Sequence, residues 1–249
     1  MTAVVDAPVV PATVARSLRM SSATTVACAW VTAATLGLTA VAFFVVTGFV
    51  PPPQADASAA EIAGFYADNA DRLRAGLLLL FISWAGWGTL VAALGAQMGR
   101  IEGGRPVLTY IVMLSGCAGW MFLLLPTIFL GIAAYRPERS PELTQTLHDL
   151  GWICAFFPFL PFAMMGIALA VATFQDPNPR PVFPRWSAYA NIWATILFLP
   201  AGALLFFKDG VFAYDGLFVF WVPFFIFGAW ILMLAWVVRQ AAIDEVRTA

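Results

Sequence analysis

The chain has 249 residues, of which 61% are hydrophobic and 11% are charged, and its formal net charge is −1. Soluble domains carry roughly 25% charged residues, so most of this surface cannot face water, and lipid is its expected solvent. The nearly neutral balance also excludes the basic surface that nucleic-acid binding requires, so no nucleic-acid partner is expected.

Six apolar stretches are long enough to cross the ~30 Å hydrocarbon core of a bilayer at ~1.5 Å per helical residue. They are residues 24–50, 75–98, 107–135, 150–174, 186–207 and 217–238. The first stretch is too long for the apolar region of a signal peptide, so we expect it to span the membrane. The sequence therefore predicts an all-α fold, a polytopic membrane bundle of six transmembrane helices over residues 24–239. Residues 1–23 are predicted to form a disordered tail and residues 240–249 a second tail.

Basic residues are distributed unequally between the two sides of this predicted bundle. The two tails and the loops after the second and fourth stretches hold eight of the thirteen, and the other three loops hold five. Because arginine and lysine concentrate in cytoplasmic loops, both termini are predicted to be cytoplasmic. Only one of the thirteen is lysine, a bias that we expect of a GC-rich bacterial genome, so the predicted location is a bacterial inner (plasma) membrane.

Two helix-start signals lie on the predicted outer side. Ser58 and Glu61 have the spacing of a capping box, and Ile62 and Tyr66 follow on one helical face. This pattern predicts a short amphipathic helix on the outer interface before the second stretch. In 140–142, a serine precedes a proline and a glutamate, which predicts a helix that runs directly into the fourth stretch.

Aspartate, glutamate, lysine, arginine and histidine are missing from the middle of all six predicted spans. Buried charges mark proton relays and voltage sensors, so the pattern argues against a proton pump, a proton-coupled transporter, a voltage sensor or a retinal protein. The single histidine, His148, cannot supply a bis-histidine haem site, and the spans lack ligands for zinc or di-iron. No metal and no cofactor is predicted. Cys28, Cys117 and Cys154 are interpreted as packing residues.

Prolines and aromatic residues concentrate in the third to sixth spans. The prolines are Pro126, Pro158, Pro161, Pro200 and Pro223. Proline bends a membrane helix, and bent, aromatic-lined helices leave room for an apolar cavity, although ordinary kinked packing would produce the same pattern. The preferred hypothesis is a non-enzymatic protein that binds or handles a hydrophobic or lipid-like molecule, or an accessory membrane subunit. The expected partners are membrane lipid, a hydrophobic small molecule and another membrane protein or a second copy of the chain.

An alternative hypothesis is a membrane enzyme that acts on a lipid-like substrate at the outer face. His148 is its candidate general acid or base, with Asp149 or Glu142 as the orienting carboxylate. Neighbouring residues on a helix point about 100° apart, which weakens the case for Asp149. Arginines near the same side are candidates for an anion clamp, but they also suit ordinary anchoring at the interface. The predicted ligand-binding residues are Arg72, Arg74, Arg136, Trp152, Phe156, Phe159 and Phe224.

Overall fold

The computed structural model describes residues 12–248 and, among them, the side chains of Ser17 and residues 19–247. Its regular structure over that range is entirely helical. The α-helices are α1 Ala12–Ala40, α2 Ala59–Ser83, α3 Ala85–Glu102, α4 Val107–Tyr135, α5 Pro141–Phe156, α6 Leu160–Gln175, α7 Arg185–Phe198 and α8 Val222–Thr248. Short π-helical stretches cover Val41–Thr47 and Leu217–Trp221, and 3-10 helices cover Leu199–Leu205 and Gly210–Phe212.

Six helical segments of the described chain are long and apolar enough to cross a membrane. They are Arg19–Thr47, Ala59–Glu102, Val107–Tyr135, Pro141–Gln175, Arg185–Leu205 and Gly210–Arg247. The predicted all-α membrane-type bundle is therefore confirmed. Helix α1 begins at Ala12 and α8 continues to Thr248, so helix extends into both predicted tails, and residues 1–11 lie outside the described range.

Successive spans run in opposite directions, which gives the bundle two ends. We call the end that carries residues 19 and 247 the terminal end. The distal end carries the connecting segments 48–58, 136–140 and 206–216. Each end has a buried apolar cluster. The cluster towards the terminal end includes Trp87 and Leu169, and the distal cluster includes Tyr66 and Trp152.

The second and fourth spans each consist of two helices. Helices α2 and α3 meet at Trp84, and α5 and α6 are separated at residues 157–159. Pro158 lies in the second gap because it has no backbone N–H to continue α5, while Pro161 suits the first turn of α6. Pro126 instead lies inside α4, which continues through it.

The predicted capping box is present at the start of α2. The backbone N–H of Ser58 donates to Glu61 Oε2 at 2.8 Å, and the Glu61 N–H donates to Ser58 Oγ at 3.4 Å. The helix is not a separate element on the interface, because it continues into the second span with only Asn69 departing from helical geometry. Ile62 and Tyr66, on its apolar face, are buried in the distal cluster. This amphipathic segment is therefore part of the bundle wall.

Candidate functional site

A cavity of about 620 Å³ lies in the distal half of the bundle, within the volume range of small-molecule sites. Its lining comes from all six spans, and thirteen of its thirty lining residues are aromatic. These aromatic residues are Phe43, Phe44, Phe49, Trp84, Phe122, Trp152, Phe156, Phe159, Phe162, Phe198, Phe224, Phe225 and Phe227. The bent spans thus surround a large apolar space that their own side chains do not fill.

The cavity wall offers little to a polar molecule. None of the described residues that line it is charged. The hydroxyl groups of Thr39 and Thr127 belong to the lining, but both are already used as donors. Thr39 Oγ1 donates to Ser83 Oγ at 2.7 Å, and Thr127 Oγ1 donates to the carbonyl of Leu124 at 2.6 Å. The wall is therefore suited to an apolar occupant.

A buried histidine cluster adjoins the distal end of the cavity. Thr144, His148 and Trp152 follow one face of α5 at four-residue spacing, and all three are buried. The hydroxyl of Tyr66, from α2, lies 3.0 Å from His148 Nδ1. Tyr214 covers the cluster, since its ring stacks on Trp152 with centroids 5.7 Å apart.

Two ring nitrogens of this cluster have no hydrogen-bond partner although they are buried: His148 Nε2 and Trp152 Nε1. The hydrogen-bond count favours one tautomer. If Tyr66 donates its hydroxyl hydrogen to Nδ1, only the Nε2–H of the imidazole is unpaired. In the other tautomer both the Tyr66 hydroxyl hydrogen and Nε2 are unpaired, which costs more. Trp152 also lines the cavity, so the histidine cluster is joined to the cavity through this side chain.

The structure does not assemble the predicted catalytic carboxylates around His148. Within the described chain, no carboxylate forms a hydrogen bond with its imidazole. Asp149 is half-buried, and Glu142 is exposed in the first turn of α5. The roles of His148, Asp149 and Glu142 in catalysis stay predictions.

The three predicted clamp arginines lie near the distal ends of helices. Arg72 donates two hydrogen bonds to carbonyls of the π-helical stretch that ends the first span, at 2.6 and 3.0 Å. Arg74 donates to the carbonyl of Ala134, near the end of α4, at 3.0 Å, and Arg136 lies over the ring of Tyr135. Helix ends leave carbonyls without internal partners, and Arg72 and Arg74 satisfy some of them. Their role as an anion clamp stays a prediction.

Four predicted ligand-binding residues lie together in the cavity wall: Trp152, Phe156, Phe159 and Phe224. Of the five prolines, only Pro126 and Pro223 are lining residues. Sequence reasoning missed the contribution of the first span, which supplies seven lining residues between 33 and 44. That span contains no proline, and its alanine, glycine and phenylalanine residues are ordinary for any membrane helix, so no local signal marked them.

The chain matches no family model, no curated protein and no solved structure. The cavity and the histidine cluster are therefore the features that bear on function. The cavity is the stronger basis because its volume and its apolar, uncharged lining are both defined by the packing of the spans. The cluster has an unusual hydrogen-bonding pattern but no assembled catalytic partners.

Proposed function

We propose that this protein is a non-enzymatic membrane protein that binds a hydrophobic molecule in its distal cavity. The cavity itself is the observation that carries the proposal. Its volume of about 620 Å³ is in the range of small-molecule sites, and its wall is uncharged and largely aromatic. Protein interiors are packed to the density of organic crystals, so side chains normally fill a space of this kind. An apolar molecule that enters from the bilayer would restore the contacts that the lining side chains lack.

The lining supports binding rather than chemistry as the function. Large aromatic rings provide contact area at low conformational cost, and the uncharged wall disfavours ions and strongly polar molecules. A hydrophobic occupant gains about 25 cal/mol for each Å² of apolar surface that it withdraws from water. In lipid this gain is absent, so shape fit to the rigid wall decides which molecule stays bound.

A cavity-filling substitution tests this proposal. Ala155, on α5, lines the cavity, and its neighbour Cys154 does not. The Ala155→Phe variant should lose the bound molecule because its ring occupies the same space, whereas Cys154→Phe should keep it. Wild-type protein and both variants are purified in mild detergent, extracted with organic solvent and analysed by mass spectrometry.

The expected result is a near-stoichiometric apolar compound in the wild type and in C154F, and its loss in A155F. Equal amounts in all three proteins would show that the compound binds elsewhere. A wild-type protein that carries no compound would leave only a role as an accessory subunit. Size-exclusion chromatography and circular dichroism establish that each variant is folded.

We also propose that the terminal end faces the cytoplasm of a bacterial inner membrane. The support is the eight-to-five distribution of basic residues. Single cysteines placed at Gly104 and Asp56, both exposed, would test it in a variant without the native cysteines. A membrane-impermeant maleimide added to intact cells should label position 56 and not position 104. The reverse pattern would refute the proposed orientation.

A further inference from the structure

The exposed part of the lining of the distal cavity lies between the first and the last spans. Six of its lining residues are exposed, and every one belongs to the first span or to α8. They are Gly37, Ala40, Phe44, Phe225, Ala229 and Leu232. The lining residues from the other four spans are buried or half-buried. We call this opening the side mouth.

Contacts between the first span and α8 close the mouth towards both ends of the bundle. Near the terminal end, Ser22 Oγ donates to the carbonyl of Ala242 at 2.5 Å. Near the distal end, the rings of Phe43 and Phe224 stack with centroids 5.1 Å apart. The side mouth therefore lies along the middle of the two helices, with no direct route to either end of the bundle between them.

Two glycines of the cavity lining face open space at this position. A Cβ atom built on Gly37 or on Gly228 would meet no other atom within 4 Å, so both face open space. Gly228 is at the centre of the helical segment Gly210–Arg247, and Gly37 is four residues past the centre of Arg19–Thr47, towards the distal end. At ~1.5 Å per residue, Gly37 is about 6 Å from the middle of its segment. The middle of a spanning segment lies near the bilayer midplane, so we expect the mouth to open inside the hydrocarbon core, away from either interface.

We propose that the ligand is a neutral hydrophobic molecule without a charged head group, which enters from the membrane interior through the side mouth. This inference rests on the proposed function. A charged head group inside the hydrocarbon core costs several kcal/mol, and the described cavity wall has no charged residue to compensate it. A phospholipid can therefore present only the end of an acyl chain to the mouth, whereas a neutral molecule such as an isoprenoid alcohol can enter whole and fill the cavity.

The first experiment compares two photoreactive probes on the wild-type protein. Phosphatidylcholine liposomes contain either a diazirine-bearing isoprenoid alcohol or a phosphatidylcholine with the diazirine at the end of one acyl chain. After irradiation, peptide mass spectrometry locates the labelled residues. The neutral probe should label the interior wall, such as Phe122 and Ala155. The phospholipid probe should label lipid-facing residues such as Leu114 and the exposed residues at the mouth, and not the interior wall.

The second experiment closes the mouth with Gly37→Leu and, separately, Gly228→Leu. Both side chains extend into open space, so the helices need not move apart. Gly131→Leu is the matched control, because Gly131 also lies in a helix, also faces open space and does not line the cavity. Interior labelling by the neutral probe should be lost in G37L and G228L and retained in G131L.

The outcomes separate this inference from the proposed function. Interior labelling by both probes would overturn the neutral-ligand inference while leaving the cavity as a binding site. Undiminished interior labelling in G37L and G228L would overturn the route through the mouth. Interior labelling by neither probe would reject the proposed function itself.

A photo-cross-link between two copies through Phe225 or Leu232 would show that a second chain covers the mouth, which would also overturn the inference. The comparison of the two probes uses only the wild-type protein. It therefore tests the neutral-ligand inference even if a leucine variant folds poorly.

Discussion

The hydrogen bond between Tyr66 and His148 can be measured by a double-mutant cycle. Tyr66 and His148 are both 0% exposed, and the hydroxyl and Nδ1 are 3.0 Å apart. The cycle consists of Tyr66→Phe, His148→Leu and the double variant. Each single substitution leaves a buried polar group of the other residue without a partner, whereas the double variant removes both groups together.

The single variants and the double variant should differ clearly in free energy of unfolding. Leaving one buried polar group unpaired costs about 1–3 kcal/mol, while replacing both partners by apolar groups is nearly neutral apart from changes in shape. We expect Tyr66→Phe to cost about 1–3 kcal/mol because it leaves both imidazole nitrogens of His148 unpartnered. The double variant should then be more stable than the sum of the single effects by about 0.5–3 kcal/mol.

Equilibrium unfolding in mixed micelles, followed by tryptophan fluorescence, gives these free energies. Tyr135→Phe serves as the control because Tyr135 is 67% exposed, and it should change the free energy of unfolding very little. Additive effects in the cycle would refute the reasoning, since they would mean that the hydroxyl and the imidazole do not interact in the folded protein.

Two further predictions concern packing between spans. Gly151→Ala should destabilise the protein by about 1–3 kcal/mol, because the added methyl group would overlap the side chain of Leu130. Gly131→Ala is the control, and it should not destabilise the protein because its methyl group meets open space. Thermal unfolding measures both variants, and equal melting temperatures would contradict the prediction. Trp230→Phe should lower the free energy of unfolding by about 1–3 kcal/mol, because Trp230 Nε1 donates to the Oδ1 atom of buried Asn191 at 2.7 Å and no other described side chain donates to that oxygen. Chemical unfolding measures the loss, and Trp186→Phe, at an exposed tryptophan, is the control.

The spans could be predicted from sequence because a bilayer imposes a minimum length on any apolar helix. The third predicted span, 107–135, coincides with α4, and the helix predicted to run from Ser140-Pro141 into the fourth span is present. Capping geometry is local, so the pair of Ser58 and Glu61 was also predictable. The continuity of that helix with the second span was not predictable, because its apolar face packs on a distant part of the chain. Tyr66, on that face, contacts His148, 82 positions away.

The cavity was predictable only in part. The aromatic residues of α5 and α8 are concentrated in the sequence, and a cavity near the proline-containing spans was a reasonable expectation. The opposite wall and the mouth depend on how α1 packs against α8, which joins residues about 190 positions apart. Gly37 and Gly228 carry no signal by themselves, because glycine is common in membrane helices and more often permits close packing than an opening.

The uncharged wall of the cavity has a consequence for the energetics of loading. An elementary charge that crosses a bilayer at about 100 mV changes its free energy by about 2.3 kcal/mol. Neither a neutral ligand nor the described lining residues carry such a charge. Occupancy should therefore be independent of the membrane potential and depend only on how much ligand the surrounding lipid contains. De-energising the cell should therefore leave the occupancy of the cavity unchanged.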